Sequence, residues 1–368
     1  MNIGLCGFGV VGRGVYEIVR QRPDMKVKKI LCLEDIQLPD AQTVKDFSEI
    51  LNDPEIDTVV EAMGGLHPSY DFARAALEAG KNVVSSNKAM VCTFYDELIP
   101  LAMHKGVSLR CTAAVGGGIG WLSELERARR VQTINQVGGI MNGTCNYILD
   151  NMTRLGLGYD EALKQAQKLG YAEANPATDV DGIDTWHKVI LSANVAFGIS
   201  LDKTTVPVSG IRNISAADVD CFKAHGKVCK LISTAKRTED GFSAYVQPTL
   251  VDAGSPEGAV PLNYNLITFI GQTSERMSFY GQGAGRYPTA YNVVQDLVDV
   301  TQGKSFYAPY GAPQAADNQE AHRYYVRGDW EGSIQEDWST GVITAPVPVC
   351  QMHQWLQAHP DAFIAGVD

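Results

Sequence analysis

The chain has 368 residues, 45% hydrophobic and 20% charged, with a formal net charge of -11 and a pI near 5.1. That length exceeds the size at which one core keeps growing, so two domains are expected, and small molecules are the expected partners. The acidic balance argues against the basic face of a nucleic-acid binder, and no apolar run approaches the roughly 18 residues of a membrane span.

The first strand pattern, Asn2 to Cys6, begins directly after Met1 and leaves no room for a signal peptide, so a cytoplasmic location is expected. Gly7-Phe8-Gly9-Val10-Val11-Gly12 follows, then an amphipathic helical pattern through Val19. Strand, glycine turn and helix in this order offer a dinucleotide pyrophosphate the N–H groups of a helix start, with glycines permitting close approach. A second strand, Val27 to Leu33, ends at Glu34-Asp35, about 22 residues beyond Gly12, where a ribose-binding acid belongs. No Arg or Lys occupies positions 33–41, so Glu34 favours NAD over NADP; a solvated acidic turn is the other reading. Strands at Thr58 to Ala62, Asn82 to Ser85 and Val107 to Cys111, with helices such as Tyr70 to Ala79 between them, imply a parallel sheet wrapped by helices. Lys88 follows one of these strands at the carboxyl edge where open α/β folds place ligands; an exposed loop lysine is the alternative.

After Gly118 the pattern changes to a strand at Gln136 to Met141, helices at Thr144 to Arg154 and Asp160 to Leu169, then an acidic run and its helix. Residues 205–270 hold short alternating segments, such as Gly241 to Val251, that suggest an antiparallel sheet and a place for subunits to pair. The fold class is therefore α/β, a Rossmann-type parallel sheet domain over residues 1–120 joined to an α+β catalytic and dimerisation domain over residues 121–280. The chain is expected to return to the first domain at about 281–304, where Pro288 precedes the helical stretch Thr289 to Val300. Residues 305–368 read as a linker, Ala308 to Ala321, and a tail too short for an independent domain. A homodimer or higher homo-oligomer is expected.

The acidic run carries Glu173, Asp179, Asp181 and Asp184, with Lys188 close behind. Asp184 and Lys188 stand four apart, nearly opposite the apolar face formed by Ile183, Trp186, Ile190, Ala193 and Phe197, which reads as a solvated ion pair of about 0.3 to 0.5 kcal/mol. Against that, so many acids repel one another unless a cation sits among them, and a desolvated lysine there exchanges a proton with a substrate hydroxyl. The eight cysteines form no Cys-x-x-Cys pair and read as buried thiols, Cys145 in the suspected substrate loop included.

Taken together, Gly7-Phe8-Gly9-Val10-Val11-Gly12, Ser86-Asn87-Lys88-Ala89, Ala114-Val115-Gly116-Gly117-Gly118-Ile119, Gly139-Ile140-Met141-Asn142-Gly143-Thr144, Gly170-Tyr171-Ala172-Glu173, Asp179-Val180-Asp181-Gly182-Ile183-Asp184 and Gly283-Ala284-Gly285 resemble homoserine dehydrogenase in order and approximate spacing. The resemblance implies NAD(P)-dependent interconversion of L-homoserine and L-aspartate 4-semialdehyde, on the branch leading to threonine and methionine. It implies Lys188 and Lys88 as proton-handling lysines, with Glu173 and Asp184 gripping the substrate ammonium. Asp179, Gly143, Thr144 and Tyr171 would complete the substrate site. The cofactor would meet Gly7 to Gly12, Glu34, Gly64, Gly65, Lys88 and Gly285. A sodium site formed by the backbone carbonyls of Val115, Gly117 and Ile119 is also implied. Gly120, Cys145 and Asn175 depart from the family's usual residues. A dehydrogenase for a related amino acid and a nucleotide-sensing protein without turnover are the rival readings.

Overall fold

Residues 1–239, 241–304 and 311–367 are described by the computed structural model. They divide into two units: Met1–Val131, Asn194–Ser200 and Gln282–Ala312 form the first, and Gln132–Ala193, Leu201–Gly281 and Pro313–Asp368 the second. Among the described residues no helix is long and apolar enough to cross a membrane.

The first unit is built on strands β1 (Asn2–Cys6), β2 (Lys26–Leu31), β3 (Gln42–Val44), β4 (Thr58–Glu61), β5 (Asn82–Ser85) and β6 (Leu109–Arg110). They form a parallel sheet in the order β3-β2-β1-β4-β5-β6. The sequence direction reverses between β1 and β4, which places a crevice at the carboxyl ends of those strands, where such sheets bind ligands. β4 is buried at every position and β1 at all but its first, as strands covered on both faces are. Helix α1 (Val10–Val19) lays Val15, Tyr16 and Val19 against Ile3 and Leu5 of β1, and the helix Arg286–Thr301 adds Ala290, Val293, Val294 and Leu297 to the same core. Each fully buried side chain of this kind contributes roughly 1.5 to 3 kcal/mol. Strand β3 escapes sequence reading because three residues are too few to show alternation. The strand expected over Val107 to Cys111 shortens to β6, since Val107 and Ser108 pair outside the regular ladder.

The second unit carries a ten-stranded sheet. Its main path runs Glu275–Gln282, Tyr264–Gly271, Ile134–Ile140, Lys227–Arg237, Phe242–Asp252, Phe363–Val367, Ala321–Arg327, Val342–Thr344 and Ile334–Asp337. Phe242–Asp252 is buried along nearly its whole length; one edge pairs throughout with Lys227–Arg237, and the other pairs with Phe363–Val367 at Thr249 and Leu250. The expected helices appear as Gly143–Leu155 and Tyr159–Lys168, the first ending at Gly156 in the left-handed conformation (φ +69°) that suits a helix stop.

The C-terminal stretch corrects the expectation of a linker and tail. Residues 308–310 of the expected linker lie outside the described residues, but Ala321–Arg327 and Phe363–Val367 add to the existing sheet, with Thr249 opposite Gly366 and Tyr324 opposite Gly366 on the other side. Tyr324, Val326, Met352 and Ile364 form a small core with Trp330 and Trp355 packed against it. Too short to bury a core alone, the segment borrows a sheet edge to complete one, which its length could not reveal.

Candidate active site

The glycine turn sits at the carboxyl end of β1. Gly7 has φ +95°, and a Cβ on Gly12 would lie 2.1 Å from the Gly7 carbonyl oxygen, so the turn closes only without side chains there. Gly9 caps α1 with no side-chain hydrogen bond, and a Cβ there would meet nothing within 4 Å. Uncapped N–H groups beside open space fit a pyrophosphate. The turn opens on a cleft of about 580 Å³ lined by Gly7, Phe8, Gly9, Glu34, Lys45 and Met63, among others.

Glu34 projects from the end of β2 into this cleft, paired with Arg13 of α1 at 3.2 Å. Arg13 also lies over the Phe8 ring, 4.7 Å from its centroid. Lys45, just past β3, holds Asp35 at 2.8 Å and donates to the Leu33 carbonyl at 2.7 Å. The reading that no cation neighbours Glu34 therefore holds along the sequence and fails in space: α1 and β3 bring Arg13 and Lys45 to the acidic turn.

A buried network behind β4 and β5 positions Lys88. The Glu61 carboxylate, fully buried, accepts from Met63 N–H at 2.9 Å and from Ser85 Oγ at 2.6 Å. Ser85 Oγ accepts from Asn87 N–H, Asn87 Nδ2 donates to Gly65 O at 2.6 Å, and Asn87 Oδ1 caps the helix Lys88–Thr93 by accepting from Met90 N–H. Gly64 and Gly65 both have positive φ in this loop. Lys88 is thus the first helical residue above the sheet edge, half-buried, and neither a free loop lysine nor a fully solvated one. Glu61 was not singled out from sequence; an acid ending an otherwise apolar strand was the available signal.

The helix Ile183–Phe197 belongs to the second unit as far as Ala193, and it is buried on all sides from Lys188 onward. This overturns the solvated ion-pair reading: Asp184 and Lys188 are 5% and 7% exposed, with Lys188 Nζ 2.7 Å from Asp184 Oδ2. The pattern misled because the helix's polar side, including Ser192 and Asn194, is covered too. Lys188 Nζ also donates to Met141 O at 2.7 Å, so one of its three N–H groups is left for a ligand.

Asn142 organises the cluster. As N-cap of the helix Gly143–Leu155, its Oδ1 accepts from Cys145 N–H at 2.8 Å, which fixes the amide orientation. Its Nδ2 then donates to Asp179 Oδ1 and to Asp184 Oδ2, each at 2.8 Å, holding two carboxylates together beside one lysine. Asp181 leaves the cluster, gripped by Arg212 at 2.6 and 2.8 Å. Thr144 Oγ1 donates to Tyr171 O at 2.5 Å, Tyr171 is 40% exposed with its ring 5.1 Å from that of Tyr147, and Glu173 stands exposed at the margin. Gly143 must lack a side chain, since a Cβ would come 2.5 Å from Asn263 O. Burial first, then the carboxylates of Asp179 and Asp184, push the Cys145 thiol well above its ordinary pKa, so it packs and does not react. Asn142 as hub was missed; an Asn at the N-cap, two residues before the first buried helical position, was the signal.

The sodium expectation fails on donors. Ile119 O accepts from Trp121 N–H at 2.7 Å and from Asn292 Nδ2 at 3.0 Å, filling both its lone pairs, and Gly117 O accepts from the same amide. A cation bridging Gly117 O and Ile119 O would meet the Asn292 N–H groups, so these two of the three expected carbonyls do not fit one. Gly285, with φ +126°, is the N-cap of the helix that carries Asn292.

Comparison with known proteins gives one family throughout. The family model described as homoserine dehydrogenase matches residues 121–298, and that described as homoserine dehydrogenase, NAD binding domain, matches residues 7–112. A homoserine dehydrogenase of Bacillus subtilis is 34% identical over 330 residues, covering 84% of this chain and 76% of that protein. One of Pseudomonas aeruginosa is 36% identical over 82% of this chain and 72% of its own. The crystal structure of a homoserine dehydrogenase from Thiobacillus denitrificans superposes with a TM-score of 0.86 at 28% identity, covering 100% of this chain and 98% of that one.

Proposed function

The chain belongs to the homoserine dehydrogenase family, and from that membership we propose how its residues carry the NAD(P)-dependent interconversion of L-homoserine and L-aspartate 4-semialdehyde. The dinucleotide supplies a hydride acceptor for the hydroxyl-bearing carbon, and a hydride donor in the reverse direction. Gly7 to Gly12 hold its pyrophosphate, Gly64, Gly65 and Gly285 leave room for its backbone, and Glu34 accepts from the adenosine ribose hydroxyl.

Asp179 and Asp184 carry two negative charges against the one positive charge of Lys188, and Glu173 adds a third acid nearby in the chain. The surplus is the receptor for the substrate α-ammonium, with Gly143, Thr144 and Tyr171 bordering it. The remaining N–H of Lys188 meets the substrate oxygen, donating a proton when the aldehyde is reduced and taking it back when the alcohol is oxidised. Lys88 is the second proton-handling lysine. The Asn142 bridge between Asp179 and Asp184, beside the buried Lys188, is the observation that supports this reading most strongly. Fixed dipoles and charges of this sort need no reorganisation during reaction, which is where such sites gain most of their rate.

NAD is the preferred cofactor in this proposal, because the Glu34 carboxylate repels a 2′-phosphate even with Arg13 beside it. Initial rates of L-homoserine oxidation with NAD and with NADP test both statements: turnover with neither refutes the activity assignment, and a higher kcat/KM with NADP refutes the preference. The protein also associates as a homodimer through its large sheet, whose edge strand Glu275–Gln282 is exposed along most of its length. Sedimentation at increasing concentration checks this, and a persistent monomer contradicts it.

A further inference from the structure

One helix meets the glycine-rich loop at residues 112–119 at three points. The helix Arg286–Thr301 presents Pro288, Asn292 and Asp296 at successive four-residue steps, hence on one face. Asp296, fully buried, accepts from Thr112 N–H at Oδ2 and from Thr112 Oγ1 at Oδ1, both at 2.7 Å, and Arg110 Nε pairs with Oδ1 at 3.2 Å. Pro288 lies beneath Gly118, where a Cβ would come within 2.9 Å of it. Between these two anchors the Asn292 carboxamide, 2% exposed, donates to Gly117 O and to Ile119 O.

The amide can point only one way. Reversed, its Oδ1 would face two carbonyl oxygens with no proton between them, and that arrangement requires a cation to hold it together. With Nδ2 inward, two N–H dipoles supply the positive charge that the carbonyls need. We propose that Asn292 is a positioning residue whose side-chain amide takes the place of a monovalent cation in bracing the 112–119 loop, making the loop of this protein cation-independent.

The proposal does not rest on the catalytic reading and is tested first by stability. Thermal unfolding of the full-length wild-type protein is followed while choline chloride is exchanged for sodium or potassium chloride at constant ionic strength. A wild-type midpoint that moves by less than about 2 °C is the expected result, because no specific site is available to bind the smaller ions. Homoserine turnover measured across the same exchange stays within about twofold. Asn292→Ala uncovers the two carbonyls, so its midpoint falls in choline and rises saturably with sodium or potassium. Asn292→Asp, which places a carboxylate among carbonyls, shows the same response with a larger amplitude. A saturable rise in the wild-type midpoint overturns the proposal, as does an Asn292→Ala protein that is blind to both cations. Should the variants fail to fold, the wild-type exchange alone decides.

Discussion

Replacing Lys188 by Met keeps the length of the side chain and removes its charge, which separates chemistry from packing. The wild-type Nζ lies 2.7 Å from both Asp184 Oδ2 and Met141 O in a site where neither Lys188 nor Asp184 is more than 7% exposed. Without it, Asp184 keeps the Asn142 Nδ2 donor but loses the Lys188 ammonium beside its buried charge. Breaking a buried pair from one side costs roughly 3 to 5 kcal/mol of stability. Adding Asp184→Asn removes the stranded charge, so the double variant is expected to recover about 2 kcal/mol relative to the sum of the single changes. Urea denaturation of the four proteins measures that coupling. In steady-state assays, loss of a general acid and base lowers kcat by about 10² to 10⁴. NADH affinity, followed by fluorescence, changes by less than about twofold because the proposed dinucleotide contacts all lie in the first unit. A Lys188→Met protein that unfolds cooperatively yet keeps more than about a third of the wild-type kcat refutes the reasoning.

Other consequences follow from the same geometry. Gly12→Ala puts a methyl group 2.1 Å from Gly7 O, so dinucleotide affinity should fall at least about tenfold by titration, and an unchanged value would mean the turn is not the pyrophosphate site. Glu34→Gln removes the repulsion of a 2′-phosphate and should raise the NADP to NAD ratio of kcat/KM by about tenfold in paired assays. Burial pushes His353 down to about 4 from the ordinary histidine value of 6.5, while its Nε2 faces Gln247 Oε1 at 3.1 Å. The unfolded chain then binds the proton more readily, so stability is full above pH 6.5 and is lost as pH falls towards 4, by up to about 3 kcal/mol. Urea midpoints for His353→Gln should show a flatter acid limb, and identical limbs would contradict this. Deleting residues 313–368 exposes the buried strand Phe242–Asp252 as a sheet edge, and the truncated protein should aggregate in light-scattering assays.

Much of this architecture is legible in the sequence where local pattern and tertiary context agree. Asn2–Cys6 and Asn82–Ser85 are found at their expected bounds because a buried parallel strand is a short apolar run between glycine or polar breaks. The helix Ile183–Phe197 shows the opposite case. Its apolar stripe is real, but covering on its polar side turns Asp184 and Lys188 from a surface pair into a buried one, and periodicity carries no information about what lies over a polar face. Arg13 and Lys45 reach the acidic turn from 21 and 11 residues before and after Glu34, by way of α1 and β3, so no local window contains them. Asn142, Glu61 and Asn292 each act by cross-linking loops, and only the fold brings their partners together.

The central claim is that the acids joined by Asn142 receive an ammonium. Comparing L-homoserine with 4-hydroxybutyrate, which keeps the carboxylate and the reacting alcohol but lacks the amine, tests it directly. A site whose buried polar groups are left unpaired rejects such an analogue by about 10⁴ or more in kcat/KM, and that is the predicted result. Comparable turnover of the two substrates would contradict the account.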